Sequence, residues 1–287
     1  MLRGLESRYL FTGDLVLQTP LHIGGGDTTL GTTDSPVLRT AEGQPFIPGS
    51  SLKGAFRSMV EKLAMTLELS HMDWNVLDLG SERMKTFHRR RRGEIDQDGN
   101  EIPPGKQQQW TEEETVQRVA AEWPVTAQLF GNPYTASKIF FADALLQGDP
   151  FANIQRRDGV AIDRDSERAM DTLKYDYEVV PPTLRFGFEL LLENPTPTEL
   201  SVTCLGLAEL LSGFFGVGGK RSSGMGRCTL EEFQVYQLDL ASDDKATRTR
   251  VLQRYLTGKT WAEKFEQVQD PRKFVDTQIA RLIAEVS

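Results

Sequence analysis

Fourteen consecutive residues, Phe214 to Arg227 (FFGVGGKRSSGMGR), combine five glycines and two serines with Lys220, Arg221 and Arg227 and hold no carboxylate. Glycine opens the positive-φ region, so successive backbone N–H groups at Gly218 and Gly219 can turn toward one anion. The cations, with Ser222 and Ser223, add charge and further donors. The chemistry such a segment suits is binding of a phosphate backbone. Two nucleotide motifs fail on spacing: Phe214 stands where Walker A needs its first glycine, and Arg221 stands where it needs serine or threonine. An apolar helical run precedes the loop and a strand-like run follows it, the reverse of a dinucleotide fingerprint. The alternative is a glycine-rich turn with no ligand. Lys53 and Arg57 form a second candidate. Four residues apart on a predicted helix, they share one face, and Ser51 near the helix start adds a donor where the dipole favours phosphate. Their alternative is an ordinary solvated face.

The elements that must position these residues can be read from periodicity. Tyr9 to Gln18 alternates Phe11, Leu15 and Leu17 on one face, a strand that feeds an irregular segment from Pro20 to Asp34. Ser50 or Ser51 is a good N-cap for a helix starting near 51, with Leu52, Phe56, Met59, Val60, Leu63 and Leu67 at helical spacing. Leu184 to Leu192 is the clearest strand, Glu199 to Phe215 a second helix and Cys228 to Tyr236 a further strand. Strand, helix and strand in this order predict an α+β sandwich related to the ferredoxin-like plan. Residues 70–125 read as a polar insertion whose arginines, Arg89 to Arg92, contact RNA or a partner or lie on a solvated, partly disordered excursion. Residues 239–287 read as a helical C-terminal appendage to a domain spanning 1–238.

At 287 residues, 39% apolar and 26% charged, the chain has the composition of a globular protein with a large core. No apolar stretch approaches the roughly 18 residues of a membrane span, so a cytoplasmic protein without membrane contact is expected. Cys204 and Cys228 with His22, His71 and His88 assemble neither a disulfide framework nor a zinc site. A formal charge of −8 argues against a generic nucleic-acid coat and directs attention to where the cations cluster.

Five segments carry a resemblance: LHIGGGDTTLGTTDSPVLRT (Leu21 to Thr40), PFIPGSSLKGAFRS (Pro45 to Ser58), LFGNP (Leu129 to Pro133), RDGVAIDRD (Arg157 to Asp165) and GVGGKRSSGMGR (Gly216 to Arg227). In this order the chain resembles the RAMP superfamily, and within it the repeated backbone subunit of type III CRISPR effector complexes, with subtype III-D expected. The resemblance implies a modified ferredoxin-like, RNA-recognition-motif core with an inserted thumb hairpin, here near 155–182. It implies stacking along a CRISPR RNA guide that pairs with complementary target RNA, beside other RAMP-type subunits and the large and small subunits of the complex. Guide contacts then fall to His22, Ser51, Lys53, Arg57 and the glycine loop, and Val160 and Ile162 wedge between bases at the thumb. His22 has a second reading, packing under the loop.

Asp34, in Asp34-Ser35-Pro36-Val37, matches the aspartate of the family's target-cleaving members, with Asp27 the competing candidate. The implied reaction is in-line attack of a ribose 2′-hydroxyl on the adjacent phosphorus, leaving a cyclic phosphate and a 5′-hydroxyl. A carboxylate accepts the hydroxyl proton or holds Mg²⁺ or Mn²⁺, shared between Asp34 and RNA oxygens. The alternatives are a catalytically silent RNA-binding scaffold and, ranked last, a ribonuclease that processes precursor CRISPR RNA.

Overall fold

Alternation along strand β1 (Ser7–Leu17) puts Phe11, Leu15 and Leu17 on one face, sealed from solvent, and Leu10 on the other. Burial on both faces suits a central strand. β1 pairs antiparallel with β7 (Arg185–Glu193) on one side and β8 (Cys228–Asp239) on the other. Short strands β2 (Phe46–Ile47), β3 (Ile139–Phe141), β4 (Ala144–Gln147) and β9 (Glu266–Gln267) complete an antiparallel sheet in the order β2-β4-β7-β1-β8-β9, with β3 also on β7. A computed structural model describes residues 4–24, 33–69, 82–148, 154–162, 169–242 and 244–286, with backbone alone for 160–162 and 169–174. The chain is thus a mixed α+β structure.

Two helices cover one face of the sheet. α1 (Gly49–Thr66) buries Leu52, Phe56, Val60 and Ala64, the stripe its sequence predicts. Its start differs from the expected serine cap. Pro48 occupies the N-cap position, and the Gly49 N–H donates to the Asp143 carboxylate at 2.8 Å. A side chain at 49 would meet the Phe141 carbonyl at 2.3 Å, so glycine permits this close approach and the serines fall inside the first turn. The second covering helix, α5 (Pro197–Ser212), opens on a capping box between Thr196 and Glu199. Its apolar residues run all round because α5 is itself covered, by the sheet and α1 on one side and by the C-terminal helix α8 (Pro271–Val286) on the other.

The insertion departs from the solvated excursion expected. Helices α2 (Glu82–Arg91) and α3 (Glu112–Glu122) pack Met84, Phe87, Val119 and Trp123, with α4 (Val125–Phe130) supplying Ala127, into a second small core flanked by Trp110 and Tyr134. Its arginines are held internally. Arg89 and Arg92 pair with Glu94, Arg90 with Glu122, and Arg91 lies over the Tyr134 ring. Aromatic residues spaced far apart in sequence supply this core, a pattern that local charge obscures. Beyond 239, α6 (Lys245–Thr257), α7 (Trp261–Lys264) and β9 precede α8, whose Val275 and Leu282 belong to the main core. Among the described residues no helix is long and apolar enough to cross a membrane.

Candidate functional site

Strands β5 (Gln155–Ile162) and β6 (Ala169–Val179) form a separate antiparallel pair whose base is stitched to the loop after β1. Leu21 and Val180 exchange backbone hydrogen bonds at 2.9 and 2.8 Å, and the Glu178 N–H donates to the Ser35 carbonyl at 3.0 Å. The Glu178 carboxylate accepts from the Val37 N–H at 3.0 Å and from Arg39 at 2.9 Å. Residues 34–37 are therefore laid along β6. Asp34 is clasped there twice: its N–H donates to Asp176 Oδ1 at 2.6 Å, and its own Oδ2 accepts from the Asp176 N–H at 2.9 Å. The other Asp176 oxygen pairs with Arg156. Asp34, Arg156, Asp158, Tyr175 and Asp176 line an open cleft of about 500 Å³.

His22 lies beneath this joint, 7% exposed, with its ring edge-on to Tyr177. Its Nδ1 is 2.7 Å from the Glu178 carbonyl, which can only accept, so Nδ1 carries a proton. Nε2 faces the Ser35 hydroxyl at 3.2 Å. Both nitrogens and the ring are engaged within the protein. The structure places His22 packed under the loop.

The glycine loop closes over the same joint. Gly218 has φ +83°, and a Cβ there would lie 2.5 Å from the His22 carbonyl, so the loop descends onto His22 only as glycine. The Gly219 N–H donates to that carbonyl at 2.9 Å. Amides of Val217 and Gly226 are likewise bound to protein carbonyls, at 2.9 and 2.8 Å, so the expected cradle of converging N–H groups is largely engaged internally. What the loop presents is side chains. Lys220 adopts a left-handed conformation, φ 56°, costing roughly 1–2 kcal/mol for a non-glycine residue. Its ammonium rests 4.6 and 4.3 Å from the ring centres of Tyr175 and Tyr177. Arg221, Ser222 and Ser223 form an exposed 3-10 turn, and Arg227 donates to the Gly213 carbonyl at 2.7 Å while covering the exposed ring of Phe214.

The α1 candidates are not drawn into the cleft. Lys53 Nζ donates to Ser137 Oγ at 2.8 Å, and its pKa is lowered by burial first and by the neighbouring Arg57 second. Arg57 pairs with Glu61 at 2.7 Å and lies over Phe130. Ser51 is half-buried in the first turn. Among the described residues, no hydrogen bond or ion pair joins this face to the Asp34 cleft. Asp27 lies outside the described residues, as do the side chains of Val160 and Ile162.

Inspection of the chain alone missed Arg156, Tyr175, Asp176 and Glu178. The signal was present as alternation: in the β5–β6 register Arg156 faces Glu178 and Asp158 faces Asp176, which puts these four side chains on one face of the pair. No group of three or more His, Cys, Asp or Glu among the described residues is placed to hold a metal ion. Asp34 Oδ2 accepts a hydrogen bond, and among the described residues Oδ1 has no partner. Chemically, the cleft joins a fixed carboxylate, a guanidinium and an exposed tyrosine beside a basic loop. That set suits proton removal and phosphate contact on an extended polyanion.

Over 247 residues, 84% of this chain and 98% of the relative, the chain is 26% identical to the "CRISPR system Cms endoribonuclease Csm3" of Enterococcus italicus. A stretch of 60 residues, 20% of this chain, is 47% identical to the protein of the same name from Methanocaldococcus jannaschii. One of 59 residues, also 20% of this chain, is 39% identical to that from Methanothermobacter thermautotrophicus. These two stretches each span 24% of the relative's length. Residues 14–229, which include β1, the cleft and the glycine loop, match the model of the RAMP superfamily, and the chain belongs to that superfamily as a Csm3-like member.

Proposed function

We propose that this chain is a guide-bound backbone subunit of a type III CRISPR complex that cleaves complementary target RNA in antiviral defence, in the cytoplasm, with Asp34 at the cleavage centre. The order β1, α1, β4, β7, α5, β8 around an antiparallel sheet is read as the modified ferredoxin plan. The β5–β6 pair is read as the thumb and residues 70–125 as a polar insertion into that core. The single observation that carries the proposal is the double clasp of Asp34 against Asp176 at the rim of an open cleft. A residue tied once through its backbone N–H and once through its carboxylate, yet left on a surface large enough for a nucleotide, is poised for work on a substrate, because packing alone requires no such exposure.

In this reading the guide backbone runs along the cations of the glycine loop, and base pairing with the guide supplies target sequence. The target strand reaches the cleft with its backbone kinked. Oδ1 of Asp34 takes the proton of the 2′-hydroxyl as the 2′-oxygen adds to phosphorus, and the clasp holds the carboxylate in reach of it. Any Mg²⁺ or Mn²⁺ at Asp34 would take most of its ligands from RNA and water. Partners are the guide, the target, further RAMP-type subunits and the large and small subunits of the complex. Relatives carrying the Csm3 name lend no weight to the subtype III-D expectation. The proposal is tested by reconstituting the guide-bound complex with Asp34→Ala and following a labelled complementary RNA with and without Mg²⁺. Loss of one cut with retained target binding is expected. Cuts identical to wild type would leave the chain as an RNA-binding scaffold and move the chemistry to Asp27 or another subunit.

A further inference from the structure

The cleft beside Asp34 poses an electrostatic problem. Three carboxylates, Asp34, Asp158 and Asp176, line it, and a phosphodiester approaching them is repelled. Arg156 is the one cationic side chain among the described lining residues. It projects from β5 on the same face of the hairpin as Asp158, Asp176 and Glu178, the face against which residues 34–37 lie. Its guanidinium is paired with Asp176, yet 59% of the Arg156 side chain remains exposed, whereas Asp176 is 10% exposed and anchored by the Asp34 amide. The two members of the pair are thus unequal: the carboxylate is fixed and the guanidinium is free to pivot. Exposed ion pairs add little stability, so packing gives no reason for this arginine in an acidic cleft.

We propose that Arg156 is a catalytic residue of target-RNA cleavage, donating from its guanidinium to the two non-bridging oxygens of the scissile phosphate. The inference rests on Asp34 being the cleavage centre. As the bond from the 2′-oxygen to phosphorus forms, the bond from phosphorus to the 5′-oxygen breaks. The 2′-hydroxyl proton passes to the Asp34 carboxylate, and the departing 5′-oxygen takes a proton from water. Negative charge gathers on the non-bridging oxygens between these events, where a planar, bidentate donor stabilises it most. Arg156 stays protonated throughout, exchanging the Asp176 carboxylate for phosphate. Tyr175, 42% exposed at the same rim, bounds the space the neighbouring base would enter.

The test is single-turnover cleavage by the reconstituted guide-bound complex carrying Arg156→Ala, Arg156→Lys or Asp34→Ala. Targets are normal RNA and RNA with a single phosphorothioate at the cut. Arg156→Ala is expected to slow cleavage by roughly a hundredfold or more with target binding within a few-fold of wild type. Arg156→Lys should recover part of the rate, and the sulfur substitution that slows the wild type should no longer slow Arg156→Ala. Wild-type cleavage by Arg156→Ala while Asp34→Ala is inactive would overturn the inference alone. So would a slow Arg156→Ala whose deficit is matched by weakened binding, or one that keeps the full sulfur effect. Cleavage by Asp34→Ala would instead remove the reading on which it rests.

Discussion

Asp176 holds Asp34 in place, and replacing it should separate positioning from chemistry. Its Oδ1 accepts the Asp34 N–H at 2.6 Å from a residue only 8% exposed, so this is a charge-assisted hydrogen bond shielded from water. Losing such a bond costs about 1.5–3 kcal/mol. The ion pair to Arg156 adds little, because the Arg156 side chain is 59% exposed. Asp176→Ala should therefore destabilise the protein by about 2 kcal/mol, roughly 4–8 °C in Tm for a chain of this size. The reciprocal bond from the Asp176 N–H to Asp34 Oδ2 is backbone-borne and survives, so Asp34 loses one of two tethers. A displacement near 1 Å costs about a hundredfold in rate, and the variant should cut its target slower by one to two orders of magnitude. Asp176→Asn keeps an acceptor at Oδ1 and should recover most of both quantities. Thermal denaturation of the chain and single-turnover cleavage by the guide-bound complex measure them. A wild-type rate in Asp176→Ala, or an asparagine variant as slow as the alanine one, would refute the tethering argument.

Two further outcomes are expected. Lys220→Ala with Arg221→Ala should weaken guide binding whatever the guide sequence, and should flatten the log–log salt dependence by about 0.7 for each phosphate that is no longer neutralised. A filter-binding series from low to moderate salt reads this, and an unchanged slope would exclude the loop from the backbone contacts. The buried thiols set an alkaline limit: burial pushes Cys228 up to about 12 and Cys204 higher still. Because the folded pKa exceeds the ordinary value near 8.5, the stability they contribute is complete below that pH and is lost as pH rises toward the folded value. Denaturant midpoints should fall progressively above about pH 9, and a thiol reagent should label neither cysteine until the protein unfolds. Rapid labelling of the folded chain at pH 9 would contradict their burial.

The main strands and covering helices were legible because their burial is simple. β1 and β7 alternate, and α1 carries one apolar stripe, so periodicity reports the face. The start of α1 was misread because its capping carboxylate, Asp143, lies far along the chain and no local pattern announces it. The packing of the small second core was missed for a similar reason: Phe87, Trp110, Trp123 and Tyr134 meet only in space, while the arginines near Phe87 dominate the local composition. At the site, motif matching pointed to Asp34 and the glycine loop, but the partners that give Asp34 its setting sit on β5 and β6, more than a hundred residues away in sequence. His22 shows the opposite limit. A histidine before a glycine run is equally suited to ligand and to joint, and its two hydrogen bonds within the joint are visible only in the fold.

The same contrast explains how an acidic chain can be fitted for a polyanion. The densest run of positive charge in the sequence, Arg89 to Arg92, projects little field of its own, since Glu94, Glu101 and Glu122 lie against three of its guanidinium groups. Lys220, Arg221 and Arg227 are fewer and more widely spaced, yet among the described residues each is held by aromatic rings or backbone carbonyls rather than by carboxylates. An aromatic ring or a carbonyl orients a cation without neutralising it. Positive potential therefore survives at the loop and is cancelled at the insertion, and a net charge of −8 reports neither. RNA affinity in this chain should follow the loop cations, which have no acidic partner among the described residues, so charge reversal at Arg89 and Arg92 should leave guide binding nearly unchanged while reversal at Lys220 and Arg221 abolishes it.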